Sequence, residues 1–131
     1  MGMEDRTLTE APNAPRQLEL WLQHAAGCII WEDVRNYARE QIDPSLSEEA
    51  RSAALEAIDH AVYGLMMLID GINVPLRNDR QEITLSVTAK LTDRESEQTI
   101  SELDLFDGDG MCMGYHFWME GDFGEYPPME P

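Results

Sequence analysis

Apolar residues recur at intervals of three and four positions through the first half of the chain, which is the pattern of amphipathic helices. A first helix is predicted from Pro15, a residue suited to the first helical position, to about Gly27, and a second over 31–41. The two could instead form one continuous helix, because a single glycine costs only about 1 kcal/mol in a helix interior. We favour a break at Gly27.

The strongest helical pattern covers residues 46–70 and predicts a long central helix. Ser45 and Glu48 form an S-x-x-E capping box at its start. Gly71 provides the left-handed residue that commonly ends a helix. The side expected to face the core carries Ala54, Ile58, Ala61, Leu65 and Leu68.

The pattern then changes from a helical period to a period of two. Apolar and polar residues alternate over 83–91, which predicts a strand with one buried face. A second strand is predicted over 98–106 and a third over 111–119, joined by the tight-turn sequence DGDG at 107–110. The expected fold is therefore α+β, with three N-terminal helices followed by a three-stranded antiparallel β-meander packed on the long central helix.

The length of 131 residues fits one domain. Residues 1–14 are polar and aperiodic and are expected to form a flexible N-terminal arm. Residues 15–123 would form the single α+β domain, and the acidic, proline-containing residues 124–131 would form a loose tail.

The predicted hairpin centred on Gly108 and Asp109 divides its residues between two faces of the sheet. One face would carry Ile100, Glu102, Asp104, Phe106, Met111, Met113, Tyr115 and Phe117, and the other Ser101, Leu103, Leu105, Cys112, His116 and Trp118. If the second face is the core, the first exposes aromatic and Met side chains among carboxylates, a composition typical of contact surfaces. Alternatively, the N-terminal helices or the tail cover the first face.

The composition adds a strong charge imbalance. The chain contains 26 acidic and 9 basic residues, a formal net charge of −17, and it has no Lys or Arg after Arg94. Such a chain repels nucleic acids and anionic membranes and is attracted to basic surfaces. Phosphate-binding and dinucleotide-binding glycine motifs are also missing from the sequence. The sequence therefore argues against direct nucleic-acid binding and favours a basic protein partner, although an acidic surface can also serve solubility alone.

Motifs for metal binding are incomplete. Asp104, Asp107 and Asp109 could offer oxygen ligands to calcium, but no register of this segment fits an EF-hand loop. His24 and Cys28 lie four positions apart, whereas a structural zinc site needs four ligands. We predict neither a bound metal nor a cofactor.

A hydrolytic site around His116 is the alternative that would make the protein an enzyme. Glu120 could orient His116 as a general base, with Ser101 or Cys112 as the nucleophile. Asp122 and His60 could join this site if the end of the hairpin meets the central helix. A histidine whose hydrogen bonds are satisfied within the fold is the commoner case.

The two cysteines, Cys28 and Cys112, could form at most one disulfide, and this count is typical of free thiols in a reducing compartment. The longest apolar run, 65–69, is too short to span a bilayer, and no signal-peptide pattern is present in the sequence. We expect a cytoplasmic protein that does not bind membranes.

The sequence thus favours a non-catalytic, acidic protein-binding module that occupies a basic surface of a partner, in the manner of immunity proteins or of nuclease and defence inhibitors. The partner would be a toxin, a nuclease or another nucleic-acid-binding protein. A small metal-dependent or hydrolytic enzyme and a homo-oligomeric structural protein, such as a homodimer, are the alternatives. The predicted partner-binding residues are Glu102, Asp104, Asp107, Asp109, Met113, Tyr115, Phe117, Glu120 and Asp122.

Overall fold

The computed structural model describes residues 2–130 of the chain. Helices and strands are mixed, as the predicted α+β class requires. The elements are α1 (Pro15–Ile30), a π-helical segment (Trp31–Asn36), α2 (Tyr37–Glu40), α3 (Glu48–Ile69), β1 (Leu76–Arg77), β2 (Glu82–Ile83), β3 (Thr88–Thr92), β4 (Thr99–Asp104) and α4 (Met111–Met119), with short 3-10 turns at Gly2–Asp5 and Leu105–Asp107.

The strands form two separate two-stranded antiparallel ladders, β1 with β2 and β3 with β4, so the predicted three-stranded meander is wrong. The predicted strand 83–91 is divided, because its first residue lies in β2 and its end in β3. In the second ladder Ala89 pairs with Leu103 on the core side. This ladder packs mainly on α1 rather than on the long helix α3.

The helix α1 begins at Pro15, as predicted, but it continues through Gly27 into the π-helical segment and α2. The preferred break at Gly27 is wrong, and the alternative of a continuous helix is correct. Gly27 is buried, and a Cβ atom there would lie 2.5 Å from Cε2 of Trp118. The glycine therefore allows close packing of an aromatic side chain and does not interrupt the helix.

The long helix α3 has the predicted end but a later start. Gly71 has φ +71°, and the Ile72 N–H donates to the carbonyl of Met67 in the arrangement typical of a glycine-ended helix. The N-terminal cap is Ser47, whose hydroxyl accepts from the Ala50 N–H at 3.1 Å, so the predicted capping box at Ser45 is wrong. The buried side of α3 is also rotated from the predicted one and carries Val62, Met66 and Ile69.

Residues 111–119 form the helix α4, so the predicted third strand is wrong. Asp70, at the end of α3, accepts from the Met111 N–H at 2.6 Å and from the Cys112 N–H at 2.9 Å, which satisfies two free donors of the first turn. DGDG is therefore the entry to a helix and not a hairpin turn. The buried residues of α4 follow a helical spacing and are Met111, Gly114, Tyr115 and Trp118.

Trp118 is the central side chain of the core, at 1% exposure. Cβ atoms at Gly27 and at Gly114 would each lie 2.5 Å from its ring. Its indole N–H donates to Nδ1 of His24 at 2.9 Å, and its ring stacks on Phe123 with 6.4 Å between centroids. The helices α1 and α4 and the segment after α4 thus all pack against the indole ring of Trp118.

The two ends of the chain pair with each other, although an arm and a loose tail were expected. Thr9 donates its N–H to the Pro128 carbonyl at 2.9 Å, and Glu130 donates its N–H to Thr7 at 2.9 Å. The Thr9 hydroxyl accepts from the indole N–H of Trp21 at 3.3 Å, and Pro128 is buried. Parts of both predicted segments are therefore joined to the body of the protein.

Candidate functional site

The predicted partner-binding residues on 111–119 are divided by the helix. Met113 and Phe117 are 62% and 45% exposed, whereas Tyr115 is only 7% exposed. A strand would place all three on one face, but in a helix Tyr115 turns toward the core while residues four apart stay together. Glu120, at the end of α4, is also exposed. The expected Met, Tyr and Phe surface is therefore reduced to Met113 and Phe117.

Several predicted carboxylates already have partners within the fold. Asp104 accepts from the Phe106 N–H at 3.1 Å, and Asp122 accepts from the Gly124 N–H at 3.0 Å. Asp109 forms an ion pair with Arg16 at 2.6 Å, which raises the pKa of Arg16. Asp104 and Asp122 thus stabilise local turns, and Asp109 pairs with an arginine of the same chain.

The remaining two carboxylates, Glu102 and Asp107, are exposed. Glu102 lies opposite Lys90 in the β3–β4 ladder. The predicted acidic residues thus lie on a strand, a loop and the segment after α4, and the structure does not gather them into one acidic cluster.

The loop before α4 is fixed by a buried glutamine that the sequence did not single out. Gln23, at 4% exposure, accepts from the Asp109 N–H at 2.6 Å and donates to the Gly110 carbonyl at 3.2 Å. Gln23 lies on the face of the first predicted helix that carries apolar residues. A polar side chain in such a position indicates a buried hydrogen bond, because buried polar groups need partners.

The histidines belong to no metal-binding group in residues 2–130. His24 accepts the hydrogen bond of Trp118, and burial lowers its pKa despite the opposing charges of Asp122 and Asp109. His116 is exposed and contacts the ring of Tyr63, with 5.9 Å between centroids. No group of three or more His, Cys, Asp or Glu residues that could hold a metal occurs in this range.

The surroundings of both cysteines disfavour the thiolate form. Burial raises the pKa of Cys28 to about 12. Burial and the adjacent carboxylate of Asp70 raise the pKa of Cys112, although Cys112 lies in the first turn of α4, a position that would otherwise favour a thiolate.

One surface cavity is a groove of about 710 Å³ between the end of α3, the β1–β2 hairpin and the loop after β4. Gly71 lets the chain turn sharply out of α3, and the Phe106 ring lies directly against it, since a Cβ at Gly71 would be 2.6 Å from Cε2 of Phe106. We call this feature the apolar groove. The buried Ile69 lines it, and its exposed large apolar side chains are Leu68, Val74, Leu76, Ile83, Leu85 and Phe106.

These apolar side chains are unusually accessible. Leu68 is 39% exposed, and the other five are between 62 and 76% exposed. Soluble proteins seldom leave so many large apolar side chains together on one surface without a function for them. The sequence contained a signal for this feature, because apolar residues alternate at 72, 74 and 76 in a segment that has no assigned place in the core.

The charges around the apolar groove are acidic. Glu82 and Asp104 line it, and no Lys or Arg does so among the described residues. Arg77 lies opposite Glu82 in the hairpin, but the ion pairs of residues 2–130 do not include one between these two side chains. The groove therefore favours a ligand that is apolar and positively charged.

A second cavity, of about 510 Å³, lies where α2 and the start of α3 meet the N-terminal turn. Its walls combine charges of both signs, so it has no preference for a ligand of either charge. The charged residues are Asp5, Arg6, Glu32, Arg39, Glu40 and Arg51.

Comparison of the chain with protein-family models, with curated proteins and with solved structures gave no significant match. In the described part of the chain, α3 has the length and apolar composition that a membrane-spanning helix needs. A single helix of this kind is weak evidence for a membrane span, and 17% of its apolar window is buried inside the fold.

Proposed function

We propose that the protein is a non-catalytic, acidic protein-binding module that engages a basic protein partner through the apolar groove. The observation that supports this proposal most directly is the exposure of Val74, Leu76, Ile83, Leu85 and Phe106 around one cavity. Nucleases and other nucleic-acid-binding proteins, including toxins that act on nucleic acids, are partners of suitable charge, because nucleic-acid binding uses basic surface patches.

The affinity would come mainly from the apolar side chains. Burying a large aliphatic or aromatic side chain contributes about 1.5–3 kcal/mol, and these side chains start more than half exposed. A few such anchors at the centre of an interface usually dominate its binding energy. The exposed Met113 and Phe117 on α4 form the alternative contact surface.

The charge would contribute mainly to the rate and to partner choice. A net charge of −17 attracts a basic protein over about one Debye length, roughly 8 Å at physiological salt. The same charge opposes self-association, because two copies repel each other. Electrostatic steering changes the association rate more than it changes the final affinity.

The test begins with proteins captured from the source cells and continues with each captured protein in purified form. Leu76→Asp and Leu85→Asp place a charge in the apolar groove, whereas Met113→Asp places the same charge on the outer face of α4. All three positions are well exposed, so the fold should persist. Dissociation constants of the wild type and the three variants are then measured at low and at high salt.

We expect the two groove variants to weaken binding by about tenfold to a hundredfold, and Met113→Asp to change it by less than about threefold. Wild-type association should slow as salt is added. Equal affinity of the wild type and the groove variants would refute the groove as the docking site. A dimer in light scattering that Leu76→Asp dissociates would replace the proposed partner with a second copy.

A further inference from the structure

The segment Thr84–Ser86 lies between β2 and β3 and has strand character without a strand partner. The sequence alternates apolar and polar residues continuously over 83–91, yet the ladders end at Ile83 and resume at Thr88. Among residues 2–130, the backbone groups of Thr84–Ser86 make no hydrogen bond to other backbone groups. Three consecutive residues thus present unpaired N–H and C=O groups.

The same three residues line the apolar groove and are exposed. Unpaired strand edges attract other chains, so proteins commonly protect them with lysine, proline or an inward-pointing charge. The sequence of this segment, TLS, contains none of these. An open backbone edge therefore lies directly beside the exposed side chains of Leu76 and Phe106.

We propose that the partner docks by adding an extended, basic and apolar segment as a strand along Thr84–Ser86. This inference rests on the proposed function and specifies how the groove is used. Main-chain hydrogen bonds to the edge would provide register and affinity, while alternate apolar side chains of the added strand enter the groove. Its basic side chains would approach Glu82 and Asp104.

Charge selects this occupant over a second copy of the chain. Edge-to-edge pairing of two copies would bring together two chains that each have a net charge of −17. It would also bring the carboxylates of the two grooves together, and neither groove is lined by a lysine or an arginine that could neutralise them. A cationic strand meets the opposite sign at the same place.

The capped peptide acetyl-Lys-Val-Lys-Val-Lys-Val-Lys-amide is a direct probe, because it alternates basic residues with valine, which has a strong strand preference. Binding to the isotope-labelled protein is followed by amide hydrogen exchange and by NMR titration at low salt. Val87 accepts from the Leu105 N–H, so the alternate residues Thr84 and Ser86 face the open edge. We expect slower exchange of their two amides and shifted resonances at Phe106. The acidic analogue with Glu in place of Lys should not produce either change.

Two substitutions at one position separate backbone pairing from side-chain contact. Ser86→Pro removes the N–H donor that the added strand needs, whereas Ser86→Ala removes only the hydroxyl. The free fold should tolerate both, because this N–H has no backbone partner and the residue is exposed. We expect Ser86→Pro to weaken peptide binding by about fivefold to tenfold and Ser86→Ala by less than about twofold.

Equal binding to Ser86→Pro and Ser86→Ala, with shifts at Phe106 but no protection of residues 84–86, would overturn strand addition and leave the groove as the docking site. Failure of the peptide to shift any groove resonance would overturn strand addition as well. The proposed function fails separately, if the partner's affinity does not change in Leu76→Asp and Leu85→Asp.

Discussion

Replacement of Gly27 by alanine tests whether α1 and α4 pack as closely as the structure indicates. The new methyl group would lie 2.5 Å from Cε2 and Cζ2 of Trp118. The indole cannot move away easily, because its N–H is bonded to His24 and its other neighbours include Gly114 and the stacked ring of Phe123. The helices must therefore separate, or the tryptophan must leave its position.

Two opposing effects determine the size of the loss. Inserting a methyl group into a well-packed core costs about 1–3 kcal/mol, whereas alanine gains about 1 kcal/mol over glycine in a helix interior. A separation of 2.5 Å is a severe overlap, so the cost of inserting the methyl group should be about 2–3 kcal/mol. After the gain from alanine is subtracted, the free energy of unfolding should fall by about 1–2 kcal/mol. For a domain of this size, that corresponds to a decrease in Tm of about 3–8 °C.

Gly64→Ala is the matched control, because Gly64 also lies inside a helix but a Cβ there would have no neighbour within 4 Å. That variant should be more stable than the wild type by about 0.5–1 kcal/mol. Urea unfolding followed by tryptophan fluorescence and by circular dichroism measures both variants. If Gly27→Ala is as stable as Gly64→Ala, the close packing of Trp118 against α1 is refuted.

Three further contacts of the fold can be tested by substitution. Asp70→Ala removes two acceptors from the start of α4 and should cost about 1–2 kcal/mol in urea unfolding; no loss would contradict the capping role. His24 has a lowered pKa, so stability should fall as pH drops below its ordinary value of 6.5, and His24→Gln should reduce this slope between pH 7 and 5. Arg35→Ala leaves the partly buried Asp59 unpaired and should lower the free energy of unfolding by about 2–4 kcal/mol. Arg16→Ala removes an exposed ion pair and should lower it by less than about 1 kcal/mol. Similar losses in the two variants would contradict the stronger role of the buried pair.

The sign of the pH effect at His24 follows from which state binds the proton. In the folded protein Nδ1 accepts the indole hydrogen bond, and burial disfavours the charged ring. The unfolded chain takes up the proton near pH 6.5, so the unfolded state gains protons first as the pH falls. The contribution is complete above pH 6.5 and is lost progressively below it, and an unchanged slope in His24→Gln would contradict this assignment.

The elements that were predicted correctly depend on local signals. Gly71 ends α3 because a glycine at φ +71° makes the typical helix-terminating bonds with its own last turn. The turn between β3 and β4 is also local, since Asp93 accepts from the Ser96 N–H at 2.8 Å. Such features depend on residues a few positions apart, and a single sequence contains all the information they need.

The errors arose where distant residues decide between two local patterns. Residues 111–119, MCMGYHFWM, fit two local patterns. A strand would have apolar residues at 111, 113, 115 and 117. A helix buries 111, 114, 115 and 118, as the structure does. Asp70 favours the helix by capping it from 41 positions away. Gly27 was misread for the same reason, because its function is to contact Trp118.

The segment 83–91 is the opposite case, in which the sequence pattern is clear but the fold does not complete it. Natural sequences usually agree with their structures at every level, and a local preference that the fold leaves unsatisfied often lies at a functional position. Here the strand preference, the unpaired backbone of Thr84–Ser86 and the exposed apolar side chains beside it coincide. A cationic strand from a partner would satisfy all three features, and the net charge of −17 favours that occupant over a second copy.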